Sequence, residues 1–207
     1  ELVENAIDAG ATTVRVEIRQ GGRRLVRVTD NGVGIPTDEV ELAFARHATG
    51  KLVSAEDLFD IHTLGFRGEA LASIAAVSRV TLVTRVATES VGTLVRLEGG
   101  ELLHRESKGR VPGTVVTIEN LFYNTPARLK FLRSDPTEAS HALALVTSYA
   151  LAYPELRFTL LKDGRLVLQT MGTGEMHDAL VDVLGLQVAQ QMLQVVPQKL
   201  QVVPQML

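Results

Sequence analysis

The chain has no cysteine among its 207 residues, which excludes disulfides and thiolate metal sites and suits a reducing compartment. No run reaches the ~18 apolar residues of a helical membrane span, and no signal peptide is visible. The five histidines are scattered without metal-ligand spacing, and no nucleophile elbow is present. A formal charge of −3 excludes bulk coating of nucleic acid, so any such contact is expected to be local and salt-sensitive. Two familiar nucleotide signatures are missing as well. A Walker A loop ending in Gly50-Lys51 needs glycine at 45 and Ser or Thr at 52, where Ala45 and Leu52 stand. A Rossmann fingerprint starting at Gly32 needs glycine or alanine at 37, where the chain has Thr37. What remains is a 45% hydrophobic chain, enough for one sizeable domain with its own core.

At helical spacing the first ten residues, ELVENAIDAG, put Glu1, Asn5 and Asp8 on one stripe, with Leu2, Val3, Ala6 and Ile7 on the flanks and Gly10 as the stop. Residues 12–20 and 23–30 alternate around Gly21-Gly22 and predict a β-hairpin. Thr37 offers an N-cap for a helix carrying Val40, Ala43 and Phe44 on its apolar face. Residues 48–68 lack periodicity and predict a long loop with a short helix at 56–59. Further helices are predicted at 69–77, from Thr125-Pro126, at 137–152 and at 175–184. Strands are predicted at 79–86, 92–98, 101–106 and 114–119, with a second hairpin over 156–170 turning at Asp163-Gly164. This order predicts an α/β (α+β) sandwich, a mixed, largely antiparallel sheet with helices on one face. The last 21 residues are three sevenfold copies, QVAQQML, QVVPQKL and QVVPQML. Pro197 and Pro204 defeat a coiled coil, at roughly 3 kcal/mol each, so an extended low-complexity tail is expected over 194–207.

Three segments carry chemistry. Glu1 and Asn5, one turn apart, place a carboxylate beside a carboxamide oxygen, which suits deprotonation of a water next to a hard cation; the same stripe is also what a solvated amphipathic face shows. VTDNGVGI (28–35) ends a strand at Asp30 and follows it with Gly32 and Gly34. Asn31-Gly32 alone reads equally as a hairpin, but the helix signal after Pro36 favours a tight loop that a flat ligand can approach, with Asp30 accepting from an amino group such as that of adenine. GFRGEALASI (65–74) opens a helix from a glycine-rich loop, either a phosphate cradle reinforced by Arg67 or a plain glycine N-cap.

Together, ELVENAIDAG, DNGVGI, RHATGK (46–51), GFRGEALASI and LFYNTPARLKFL (121–132) resemble the N-terminal ATPase region of the MutL-type DNA mismatch-repair family, over residues 1–193. That family belongs to the GHKL superfamily of gyrase B, Hsp90 and histidine kinases. The first two motifs point to the superfamily, and the last two to the MutL branch. The resemblance implies Glu1 as the general base and Asn5 as the protein ligand of Mg²⁺ on ATP, with Asp8 and Ala9 alongside. It implies Asp30 as reader of the adenine amino group, Gly34 for close approach, and Thr114 closing the adenine side. Thr49, Lys51, Gly65, Phe66, Arg67 and Gly68 are implied as lid and phosphate cradle.

The same resemblance implies an ATP-dependent homodimer acting as a switch between a MutS-type mismatch sensor and a downstream nicking endonuclease and helicase, in the cytoplasm and on the nucleoid during repair. Arg128, Lys130 and Arg133, read as one helix face, are candidates with Arg110 for a DNA-contacting groove, although such charges are commonly just a solvated face. A segment before residue 1 and a second domain supplying a lysine to the γ-phosphate are expected in the longer protein, so this chain alone is expected to bind ATP weakly if at all and to hydrolyse it poorly, and the longer protein to be the ATPase. The competing readings are another ATPase of the superfamily and a non-catalytic DNA or protein interaction module of the same fold.

Overall fold

The computed structural model describes residues 1–45 and 69–192. Helix α1 (Leu2–Asp8) leads into the predicted hairpin, β1 (Thr13–Arg19) and β2 (Leu25–Asp30). The short helix α2 (Ala70–Ala75) precedes β3 (Arg79–Arg85), β4 (Gly92–Glu98), β5 (Glu101–Lys108) and β6 (Gly113–Glu119). Two helices follow, α3 (Pro126–Phe131) and α4 (Asp135–Ala152), then the hairpin β7 (Arg157–Lys162) and β8 (Arg165–Gln169), and finally α5 (Met176–Leu184) and α6 (Leu186–Ala189).

Among the described residues the eight strands form one sheet in the order β5-β4-β3-β6-β2-β1-β7-β8. Every neighbouring pair is antiparallel except β1 and β7, which run parallel with Val14 opposite Phe158 and Val16 opposite Leu160. Alternation assigns the two faces. The register carries one apolar row across seven strands: Leu168, Leu160, Val16, Val28, Val116, Leu82 and Val95. Each of these is buried. The opposite face carries a polar row, Glu17, Arg27, Thr117, Thr81, Arg96 and His104. A sheet with one apolar and one polar face requires its covering helices on a single side.

That cover has two centres. Val3 and Ala6 of α1 and Ala139, Val146 and Ala150 of α4 pack on β1, β2, β7 and β8, while Ala75 of α2 and Val40 pack on β3, β4 and β6. Leu2 and Val26 touch both clusters and join them. Helix α4 is also tied to α1 by the Tyr149 hydroxyl, which donates to Glu4 Oε1. This bond, chiefly, holds the Glu4 carboxyl below its ordinary range.

The expected helix after Thr37 does not form. Thr37 is committed elsewhere: its N–H and hydroxyl both donate to Glu89, at 2.8 Å each, and its hydroxyl oxygen, the acceptor an N-cap would use, accepts from Thr93. The chain instead makes turns and one 3₁₀ turn (Leu42–Phe44), which is enough to bury Val40 fully and lay Phe44 on the second cluster. The expected loop over 48–68, its short helix and the tail over 194–207 lie outside the described residues.

Two stability outcomes follow. Leu82 is fully buried at the centre of the sheet, so Leu82→Ala is expected to cost about 3 kcal/mol by denaturant titration. Tyr149→Phe is expected to cost about 1 kcal/mol at neutral pH. Because the folded Glu4 pKa is depressed, its contribution is present above the unfolded value and lost as pH falls through the folded one; Tyr149→Phe therefore also flattens the acid limb of the stability curve.

Candidate nucleotide site

The covered face of the sheet turns polar at one end. There the inward positions are Asp30 on β2, Thr114 on β6, Thr84 on β3 and Thr93 on β4, and the register sets Thr84 opposite both Thr114 and Thr93. Thr84, Thr93 and Thr114 are buried, so each hydroxyl needs a partner. The Thr84 and Thr114 hydroxyls meet at 3.1 Å, the Thr93 hydroxyl donates to that of Thr37 at 3.0 Å, and Thr84 accepts the Ile35 N–H at 2.8 Å.

Asp30 is the one acid in this row. Its Oδ1 accepts the N–H groups of Gly32 at 2.9 Å and Thr114 at 3.2 Å, whereas Oδ2 accepts no hydrogen bond among the described residues. Burial pushes the carboxyl above the ordinary aspartate range, against the opposing pull of those two amides and of the Arg110 guanidinium. The result is a half-buried carboxylate with one oxygen fixed by backbone and the other available to a donor.

Two glycines let the backbone close around it. Gly34 has φ +79°, and a Cβ there would lie 2.2 Å from the Arg85 carbonyl oxygen; Gly113 has φ +120°, and a Cβ there would lie 2.3 Å from the Asp30 carbonyl oxygen. No side chain fits either position without moving backbone. Asn31 does not make the two-residue hairpin its Asn-Gly pair suggests. Its Oδ1 accepts the Thr12 and Thr13 N–H groups at 2.9 and 2.8 Å, and its amide donates to the Thr12 hydroxyl, pinning the glycine loop to the start of β1.

The loop also holds α1. The Val33 N–H donates to the carbonyl of Ala9, the residue capping that helix, at 3.0 Å. Asp8 and Ala9 therefore lie at the Asp30 end, with Asn5 a turn back and the exposed Glu1 at the far end as N-cap. A helix of this length spans roughly 10 Å. A single ligand touching both Asp30 and Glu1 must therefore be elongated. Among the described residues no three His, Cys, Asp or Glu side chains cluster as a metal cage. Thr49, Lys51, Gly65, Phe66, Arg67 and Gly68 lie outside the described residues.

The basic groups separate. Arg110 donates to the carbonyls of Gly113 and Asp30, both at 3.4 Å, and so belongs to the Asp30 end of β6. Helix α3 follows the opposite end of that strand, roughly 20 Å away at ~3.3 Å per residue, so Arg110 does not join the α3 charges. Arg128 and Lys130 are exposed in the last turn of α3. Arg133 is past that helix, which ends at Phe131, and its N–H is taken by Glu138 at the start of α4. Sequence reasoning missed Thr84, Glu89 and the true place of Arg110. Thr84 had a readable signal, a hydroxyl on the apolar side of an alternating strand.

Comparison with known proteins bears on the whole arrangement. The profile of the histidine kinase-, DNA gyrase B- and HSP90-like ATPases matches residues 1–121. The DNA mismatch repair protein MutL of Acidobacterium capsulatum is 50% identical over 193 residues, 93% of this chain and 29% of that protein. MutL of Desulforudis audaxviator is 51% identical over 193 residues, 93% of this chain and 34% of its own length. The chain thus spans about a third of the curated relatives it matches. Among solved structures, the Aquifex aeolicus MutL ATPase domain complexed with ADP is 36% identical, with a TM-score of 0.70 over 88% of this chain and 65% of that one. The N-terminal domain of a DNA repair protein is 26% identical, with a TM-score of 0.75 over 89% of this chain and 54% of that one. The chain belongs to the histidine kinase-, DNA gyrase B- and HSP90-like ATPase family, and within it to the N-terminal ATPase region of the MutL branch.

Proposed function

We propose that this chain is the nucleotide switch of a DNA mismatch-repair protein, binding ATP with its adenine at Asp30 and hydrolysing it slowly. The observation that carries the reading is the Asp30 carboxylate, Oδ1 accepting two backbone amides and Oδ2 accepting nothing among the described residues, in a chain whose relative in Aquifex aeolicus was solved with ADP. The base lies against the loop containing Gly34, with Thr114 behind Asp30. From there the triphosphate runs along α1 toward Asn5 and Glu1, and Thr49, Lys51, Gly65, Phe66, Arg67 and Gly68 form its lid and cradle.

In the hydrolytic step Glu1 takes the proton of a water whose oxygen attacks the γ-phosphorus; the bond to the bridging oxygen breaks, and ADP and phosphate leave. The Asn5 carboxamide oxygen would be the protein ligand of a Mg²⁺ arriving with the triphosphate, a hard donor suited to that cation. When bound, the ion would supply charge neutralisation on the phosphates. The intact Glu1, Asn5 and Asp30 favour a working ATPase over an interaction module that merely keeps the fold.

In the longer protein, ATP-dependent homodimerisation carries the signal from a MutS-type sensor to a nicking endonuclease and helicase. Residues 1–193 form the ATPase unit, and 194–207 belong to the connection beyond it. Among the described residues no helix is long and apolar enough to cross a membrane, and the reading places the protein in the cytoplasm, at the nucleoid during repair. DNA contact is assigned to Arg128, Lys130 and Arg133.

Calorimetric titration of a non-hydrolysable ATP analogue with Mg²⁺ is expected to show saturable binding, weakened about 10- to 100-fold by Asp30→Asn, whose amide turns a donor toward the adenine amino group. Equal affinity in the two proteins removes adenine from Asp30. The unliganded variant is expected to melt no lower than the parent, because a carboxyl with a raised folded pKa opposes folding once ionised. By the same sign, affinity is expected to fall in acid as Asp30 protonates, starting above the ordinary aspartate range. Replacing Arg128, Lys130 and Arg133 with alanine is expected to lower the salt slope of DNA binding by about two to three, read by fluorescence anisotropy.

A further inference from the structure

We infer that Glu89, in the connection between β3 and β4, is the positioning residue that holds the glycine loop in its ligand-binding shape. The inference rests on the reading that this loop receives a nucleotide base. Glu89 spends both carboxylate oxygens on one residue: Oε1 accepts the Thr37 N–H and Oε2 the Thr37 hydroxyl, each at 2.8 Å. Its own carbonyl accepts from Arg85 Nη1 at 2.8 Å, which fixes the connection that presents it. Within that same connection the Arg85 carbonyl is the group that Gly34 leaves room for.

Thr37 is held from every side. Besides the two bonds to Glu89, its hydroxyl accepts from Thr93 at 3.0 Å and its carbonyl accepts from Arg105 Nη2 at 2.8 Å. Arg105 is fixed in turn by an ion pair with Glu41. Two residues before Thr37, the Ile35 N–H is taken by Thr84, whose hydroxyl also meets that of Thr114, the residue whose N–H holds Asp30. The loop over 31–37 is thus gripped at its start by Asn31 and at its end by Glu89. Position 36 is proline, which donates no backbone hydrogen bond. After the Ile35 N–H, the next backbone donor along the loop is therefore that of Thr37, the one Glu89 takes. Hydrogen bonds to a carboxylate are the strong kind, and two to one neighbour fix orientation as well as distance.

Glu89 acts through Thr37 and the loop, so its loss is expected to weaken the base without unfolding the sheet. The test measures ADP affinity by calorimetry, the melting midpoint, and amide hydrogen exchange over residues 31–37 in the parent, Glu89→Ala, Glu89→Gln and Asp30→Asn. The expected result is a five- to twentyfold weaker ADP affinity in Glu89→Ala at a midpoint within a few degrees of the parent, with faster exchange at Ile35 and Thr37. Glu89→Gln keeps one acceptor and is expected to recover part of the affinity. Unchanged exchange at Ile35 and Thr37 in Glu89→Ala overturns the inference even if no nucleotide binds to any of the four proteins. So does ADP affinity equal to the parent's, or an affinity loss that merely tracks a fallen midpoint. If ADP binding survives in Asp30→Asn but falls in Glu89→Ala, the assignment of adenine to Asp30 fails while the loop-positioning role stands.

Discussion

A carboxylate at the rim of an apolar sheet is tolerated only if the backbone turns donors toward it, and much of the geometry of this domain serves that requirement at Asp30. The Gly32 and Thr114 amides point at one oxygen because β2 ends where it does and because β6 starts alongside. For β6 to start there, Gly113 must pass closer to the Asp30 carbonyl than any side chain permits. The row of threonines continues the solution across the sheet. Valines at those positions would pack as well, but they would leave the Ile35 amide without an acceptor.

The division of labour between the two hydrophobic clusters follows from the same point. One cluster seats α1 and α4 on the Asp30 side of the sheet, the other seats α2 and the turns after Thr37, and both meet at Leu2 and Val26. Helix α1 is thereby held by packing along one flank and by the Val33 to Ala9 hydrogen bond at its end.

Much of this was legible in the sequence, for local reasons. Alternation located each strand among the described residues to within a residue or two, and the glycines marked where the backbone had to approach itself. The stripe of Glu1, Asn5 and Asp8 and the placement of Asp30 at a strand end were readable because periods of 3.6 and 2 carry that information directly. What failed was non-local. The Thr37 N-cap signal was sound on local chemistry, yet Glu89 and Thr93, more than fifty residues on, orient its hydroxyl, the first accepting from it and the second donating to its oxygen. Arg110 and Arg133 were grouped with α3 by charge and proximity in sequence, but a full strand separates the first from it and the second belongs to the cap of α4. Roles assigned to residues 49–51 and 65–68 rest on resemblance.

The parallel pairing of β1 with β7 has a consequence for how the chain is made. Thr13 and Arg157 are register partners, so the strand that leads into the pocket stays an unpaired edge until almost 150 further residues have been synthesised. During that interval β1 exposes Val14, Val16 and Ile18 beside an open row of backbone donors and acceptors, the arrangement most prone to wrong pairing. An interruption of synthesis before residue 157 leaves a polypeptide that already contains Asp30, Gly34 and Thr114 but lacks the strand that completes their side of the sheet.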